Sequence, residues 1–143
     1  MGTFVYICRK EKIIEMINRF ITKSIQQNLF KGKAIIIYGA RQVGKTTLLK
    51  QLSDKIDQDI LWINGDDLQT AADLQPSLNR LKFIIGKHKI VFIDEAQRIK
   101  NIGLIIKLIV DNLKDVQVVA TGSSAFDLAS EIKEPLTGRK FLS

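Results

Sequence analysis

Cysteine is almost absent: Cys8 is the one thiol in 143 residues, which excludes an intrachain disulfide and suits a reducing compartment. Histidine is equally scarce. His88 stands between Lys87 and Lys89 just before an apolar run, a place for a solvated turn residue rather than a base or a ligand. Long apolar runs are missing, since no stretch approaches the roughly 20 residues that span a bilayer. The N-terminal MGTFVYICRK also lacks the charged start, apolar middle and small-residue cleavage site of a signal peptide. No membrane partner and a cytoplasmic location are the expectation. Acidic residues are short in one place only: residues 1–33 hold seven Lys or Arg against two Glu, whereas the remaining 110 hold 15 against 13. Most of the net charge of +7 therefore lies in the N-terminal segment. Such a segment can face nucleic acid. It shows none of the basic and aromatic interleaving of a base-stacking platform, so a solvated helix face is the reading it favours.

What is present is periodicity. Hydrophobic residues make up 45% of a chain whose length suits one domain. From about Lys10 to Leu29, Ile13, Ile14, Ile17, Phe20, Ile21, Ile25 and Leu29 recur at steps of three and four, predicting an amphipathic helix packed on the flank of a sheet. Short β-branched runs predict strands over 34–38, 60–64 (with Trp62 in the core), from 90, and over 116–121. Between them, helices are expected over 46–55, 73–85 (with Pro76 near its start) and 101–113. Asp66 and Asp67 follow Gly65 at the end of the second strand, where they line a site or, the favoured reading, cap the turn. Strands alternating with helices give an α/β class with a mainly parallel sheet.

Within 34–50, Gly39 to Thr46 read GARQVGKT, a full match to GxxxxGK[ST] that follows a strand and opens a helix. A loop that wraps a polyphosphate with its own amides needs glycine where a Cβ would obstruct, at Gly39 and Gly44. Ala40, Arg41, Gln42 and Val43 complete the loop, and Thr47 extends it into the helix. Lys45 is placed to reach the β and γ phosphates and Thr46 to offer a hydroxyl to Mg2+, at a helix N-terminus that itself favours an anion. A nucleotide is the ligand this pattern predicts.

Downstream, Ile90 to Gln97 read IVFIDEAQ: a buried strand with two carboxylates where it ends. Asp94 is the candidate to help hold the metal and Glu95 to accept a proton from the attacking water. The run ending at Thr121 leads into Gly122, Ser123 and Ser124, at the carboxyl end of a strand, where open α/β sheets keep their ligands. Ser123 either contacts the γ phosphate or its water, or the Ser123–Ser124 pair caps a helix begun by Ala125.

With GARQVGKT, VFIDEAQ and VVATGSS in that order, the chain resembles the AAA+ ATPases, and among them the prokaryotic predicted ATPases whose ATPase domain precedes a C-terminal domain of unknown function. IIIYGARQVGKTTLLKQL, IVFIDEAQRIKN and VVATGSSAFDLASEIKEPLTGRKF carry the resemblance over about residues 9–142, TGSSAFDL and PLTGRKF being its selective part. The resemblance implies a three-layer P-loop NTPase fold of AAA+/ASCE type, with ATP and Mg2+ as cofactors. It implies Lys45 and Thr46 at the phosphates and Mg2+, Asp94 at Mg2+, Glu95 at the water and Ser123 as sensor. Arg139, in the GR phrase, stands as an arginine finger or sensor, acting in cis or from a neighbour in a homo-oligomer. Members of the family continue past that phrase, so the chain is expected to be truncated near the fifth strand, with binding outlasting turnover. No NKxD phrase is present to select guanine. Two further readings stay open: a nucleotide-gated regulatory module with little turnover, and a nucleic-acid-dependent ATPase, suggested by DEAQ and the basic N-terminal segment.

Overall fold

The computed structural model of the chain describes residues 3–8, 14–39 and 44–123. In chain order the elements are Thr3–Cys8 (β1), Ile14–Asn28 (α1), Ala34–Gly39 (β2), Lys45–Asp54 (α2), Ile60–Asn64 (β3), Leu68–Asp73 (α3), Leu78–Ile85 (α4) and Ile90–Asp94 (β4). A single 3-10 turn over Ala96–Arg98, helix α5 (Ile102–Asn112) and strand β5 (Gln117–Gly122) follow. The five strands among the described residues form one sheet in the order β1-β2-β5-β4-β3, and every neighbouring pair is parallel. No helix among the described residues is long and apolar enough to cross a membrane.

A parallel sheet needs cover on both faces, and its strands therefore read as unbroken apolar runs. Alternate side chains divide between two cores. Ala34, Ile36, Tyr38, Val91, Ile93, Val118 and Ala120 face α4 and α5, which contribute Leu81, Ile85, Ile102, Ile105 and Ile109. Ile35, Ile37, Ile90, Phe92 and Val119 face Ile21 and Ile25 of α1 and Leu48, Leu49 and Leu52 of α2. The result is a three-layer α/β/α arrangement. The chain leaves β2 toward the α2 face and β4 toward the α5 face, so a crevice opens over the carboxyl ends of β2, β5 and β4.

Four expectations are corrected. The strand Thr3–Cys8 was not anticipated, although Phe4, Val5, Tyr6 and Ile7 form a run of β-branched and aromatic residues; it pairs with the whole of β2. Trp62 is not core: it is 42% exposed, because β3 is an edge strand, and it meets Phe92 edge-on with ring centroids 5.0 Å apart. Phe20 leaves the apolar stripe of α1 and is 61% exposed, beside the fully buried Ile21 that takes the core position. The helix expected over 73–85 begins only at Leu78, and a separate helix that was not anticipated, α3, occupies 68–73. Pro76 excludes the helical region for Gln75 and supplies no N–H, so α3 ends at Asp73 and Ser77 restarts the chain by capping α4 through the amide of Arg80.

Turns follow local chemistry. Asp67 caps α3, and hydrogen bonds from the side chain of Thr70 and the amide of Gln69 hold its carboxyl below the usual carboxylate range. Asp66 accepts an ion pair from Arg98 at 3.5 Å, so the acidic pair belongs to the turn. His88 sits in a turn as expected, with Nδ1 2.8 Å from the carbonyl oxygen of Ile85.

Gln117, 2% exposed at the start of β5, fixes the turn that feeds β2. Its Oε1 accepts from the Phe30 amide at 2.6 Å and its Nε2 donates to the Lys33 carbonyl at 2.8 Å, while Phe30 itself holds a positive φ of 58°. Removing this amide strands both backbone groups. Gln117→Ala is therefore expected to lower unfolding stability by about 2–4 kcal/mol, taking roughly 1–2 kcal/mol, the lower part of the range for an unsatisfied group, for each of two partly covered groups. Urea denaturation checks it, and a midpoint equal to wild type contradicts it.

Candidate functional site

Among the described residues, the crevice gathers Gly39, Gly44, Lys45, Thr46, Asp94, Glu95 and Ser123 from those singled out in the sequence. Gly39 ends β2, and Gly44 caps α2 with φ 78° and ψ 36°, a left-handed conformation in which glycine has no Cβ penalty. Lys45 opens the helix and is 3% exposed. Ala40, Arg41, Gln42 and Val43, and likewise Ser124 and Arg139, lie outside the described residues. Thr47 lies on the exposed side of the first turn of α2.

Asp94 is the junction. It ends β4 at 8% exposure, and its two carboxyl oxygens have separate partners. Thr46 Oγ1 donates to Oδ2 at 2.6 Å, and Thr121 Oγ1 donates to Oδ1 at 2.5 Å. The register explains the second bond: Ile93 pairs with Ala120, which sets the next residues, Asp94 and Thr121, side by side. A carboxyl group this covered needs such donors, because leaving it without them costs several kcal/mol. The pair of bonds ties the start of α2 to the ends of β4 and β5.

Glu95 follows in a strained backbone conformation, φ 52° and ψ 47°, which costs a non-glycine residue about 1–2 kcal/mol. Its surroundings impose it. The Glu95 amide donates to Asp94 Oδ1 at 3.2 Å and Thr121 Oγ1 at 3.1 Å, and its carbonyl accepts from the Arg98 amide at 3.0 Å. Beyond it, Gln97 Nε2 donates to Glu95 Oε2 at 2.6 Å and to Ser123 Oγ at 3.0 Å. Ser123 is thus brought next to the acidic pair, and its hydroxyl is engaged by Gln97.

Three residues of this site were not read from the sequence: Thr121, Gly65 and Gln97. Thr121 carried a signal, being a polar residue that closes the apolar run VQVVAT, and the structure buries it fully. Gly65 did not. Its amide donates to the Asp94 carbonyl at 2.8 Å, and a Cβ built on it would lie 2.1 Å from the Glu95 carbonyl oxygen, a clash with backbone that no rotamer relieves. Gly65→Ala is accordingly expected to cost about 1–3 kcal/mol of stability by forcing the Glu95 peptide aside. Urea unfolding reads this directly, and wild-type stability would show that the two segments are free to separate.

The family model described as AAA domain matches residues 31–142. The chain is 31% identical over 125 residues to an uncharacterized protein of Methanocaldococcus jannaschii, across 85% of this chain and 28% of that one. It is 30% identical over 100 residues to the Replication factor C large subunit of Thermococcus kodakarensis, across 68% of this chain and 20% of that one. It is also 30% identical over 125 residues to the Holliday junction branch migration complex subunit RuvB of Mycoplasmopsis synoviae, across 87% of this chain and 38% of that one. The chain spans less than two fifths of the length of each of these relatives. With the matched stretch running from the strand before the phosphate loop past Asp94 and Ser123, the chain belongs to the AAA domain family of nucleotide-binding P-loop ATPases.

Proposed function

We propose that the protein binds ATP with Mg2+ at the loop of residues 39–47 and hydrolyses the β,γ phosphoanhydride bond by in-line attack of water. The observation that carries this reading is the 2.6 Å contact between Thr46 and Asp94, which joins the phosphate loop to the acidic strand across 48 positions of sequence. Lys45 neutralises the β and γ phosphates from the first turn of α2, where the helix N-terminus adds its own positive potential. Glu95 accepts the proton of the attacking water, and Ser123 contacts the γ phosphate or that water. Arg139 is assigned to the γ phosphate as a finger or sensor, in cis or from a second copy of the chain, and the protein to the cytoplasm.

The residues present suit a magnesium ion. Thr46 Oγ1 and Asp94 Oδ2 are hard oxygen donors already adjacent. No group of three or more His, Cys, Asp or Glu able to hold a metal occurs among the described residues. Mg2+ typically takes one or two protein oxygens and completes its shell with phosphate and water. When bound there it would offset the negative charge of the β and γ phosphates.

Nucleotide binding and phosphate release by wild type, Lys45→Ala and Glu95→Gln test the proposal. Lys45→Ala should lose most of its affinity for ATP. Glu95→Gln should keep the affinity and lose about 10²-fold or more in turnover, the scale of a positioned general base. If Lys45→Ala binds ATP as tightly as wild type, the site is misassigned.

One observation favours a second reading, in which occupancy sets a conformation and turnover is slow: the Glu95 carboxylate is already held by Gln97 at 2.6 Å. Saturable ATP binding without phosphate release would select it. The names of two relatives, Replication factor C large subunit and Holliday junction branch migration complex subunit, motivate assaying turnover with and without DNA. A stimulation that falls steeply with salt would indicate a nucleic-acid-dependent ATPase.

A further inference from the structure

We propose that Gln97 is a positioning residue that links Glu95 to Ser123, so that a phosphate contact at the end of β5 is transmitted to the carboxylate that handles the water. The inference rests on the proposed function and adds to it a residue and a route. Gln97 lies in the 3-10 turn after β4, and its amide uses both ends. Nε2 donates to Glu95 Oε2 at 2.6 Å and to Ser123 Oγ at 3.0 Å, and Oε1 accepts a longer bond, 3.4 Å, from the Ser123 amide.

The orientation of that amide is fixed by chemistry. Turning it over would set Oε1 against the Glu95 carboxylate and the NH2 group against the Ser123 N–H, replacing attraction with repulsion on both sides. Its backbone is also held. Ala96 is fully buried, Ile99 is 2% exposed, the Arg98 amide donates to the Glu95 carbonyl at 3.0 Å, and Arg98 pairs with Asp66 at 3.5 Å. Gln97 is therefore a neutral bracket on a rigid turn.

Ser123 is the ligand-facing end of the bracket. Its hydroxyl takes the proton of the Gln97 amide, which leaves its own proton free to be donated to a phosphate oxygen. Moving Ser123 toward such an oxygen draws on the same NH2 group that holds Glu95. A change at one oxygen is thus felt at the other through two bonds of one group. A carboxylate released or turned in this way is available to water only when the phosphate is in place.

A purely structural role for Gln97 would predict loss of fold and no coupling, so the test is a double-mutant cycle read in two ways. Turnover and binding of a fluorescent ADP are measured for Gln97→Ala, Ser123→Ala and the double variant. Gln97→Ala should change kcat by about 10–100-fold, the scale seen when a supporting hydrogen bond to an active-site group is removed. ADP affinity should stay within about twofold of wild type, because the residue touches the end of the site beyond the β phosphate. Adding Gln97→Ala to Ser123→Ala should change kcat less than about threefold, since residues acting through one link are not additive. Multiplicative effects, or wild-type turnover in Gln97→Ala, overturn the proposal. Gln97→Glu, which keeps the length but faces Glu95 with a like charge, should be no better than Gln97→Ala; recovery of wild-type turnover by it also overturns the link.

The second readout needs no nucleotide. In 1H–15N spectra the side-chain NH2 pair that disappears in Gln97→Ala should shift in both Ser123→Ala and Glu95→Gln, and an unmoved pair in either variant overturns the link. Failure of the ATPase reading would appear separately, as wild-type ATP affinity in Lys45→Ala.

Discussion

The site depends on how the carboxyl group of Asp94 is satisfied. At 8% exposure it has little water to rely on, and besides the adjacent Glu95 amide its donors come from two other elements, Thr46 of α2 and Thr121 of β5. Each bond to a carboxylate is worth about 1.5–3 kcal/mol net, and a carboxyl left without donors at this depth would instead carry its desolvation penalty. That asymmetry fixes three chain segments against one another. The parallel sheet brings them close, because every described strand presents its carboxyl end to the same edge. The hydrogen bonds then hold the starts and ends of these segments side by side.

Strain is stored one residue further on. Glu95 occupies the left-handed region, and Gly65, Thr121 and the amide of Arg98 keep it there. A glycine at position 95 would be the relaxed choice for that backbone, yet it would have no carboxylate to offer. A charged side chain held where glycine fits best is the pattern expected of a functional position, where conformational cost is accepted for direction. The direction obtained here brings the carboxylate to Gln97, whose amide also reaches Ser123.

Much of this was legible in the sequence because it is local. GARQVGKT and IVFIDEAQ each carry their chemistry within eight residues, and the apolar runs that flank them give strand and helix directly. The motifs and their order pointed to Lys45, Thr46, Asp94 and Glu95 as one cluster before any distance was known, while Ser123 stood open between that cluster and a helix cap. What escaped was set by neighbours far apart in the chain. Whether Trp62 is covered depends on β3 being an edge strand, and whether Gly65 can bear a side chain depends on Glu95, which no spacing reveals. The strand Thr3–Cys8 escaped for a different reason: its composition favoured a strand, but nothing within it indicated that it would complete the sheet beside β2.

The central claim is that Thr46 and Asp94 form one magnesium-nucleotide site. The dependence of ATP affinity on Mg2+ concentration, compared between wild type and Asp94→Asn, tests it most directly. Asn preserves the size of the side chain while removing its charge. The account predicts that wild-type affinity rises with Mg2+ and that Asp94→Asn loses most of that rise; an equal rise in the variant would contradict it.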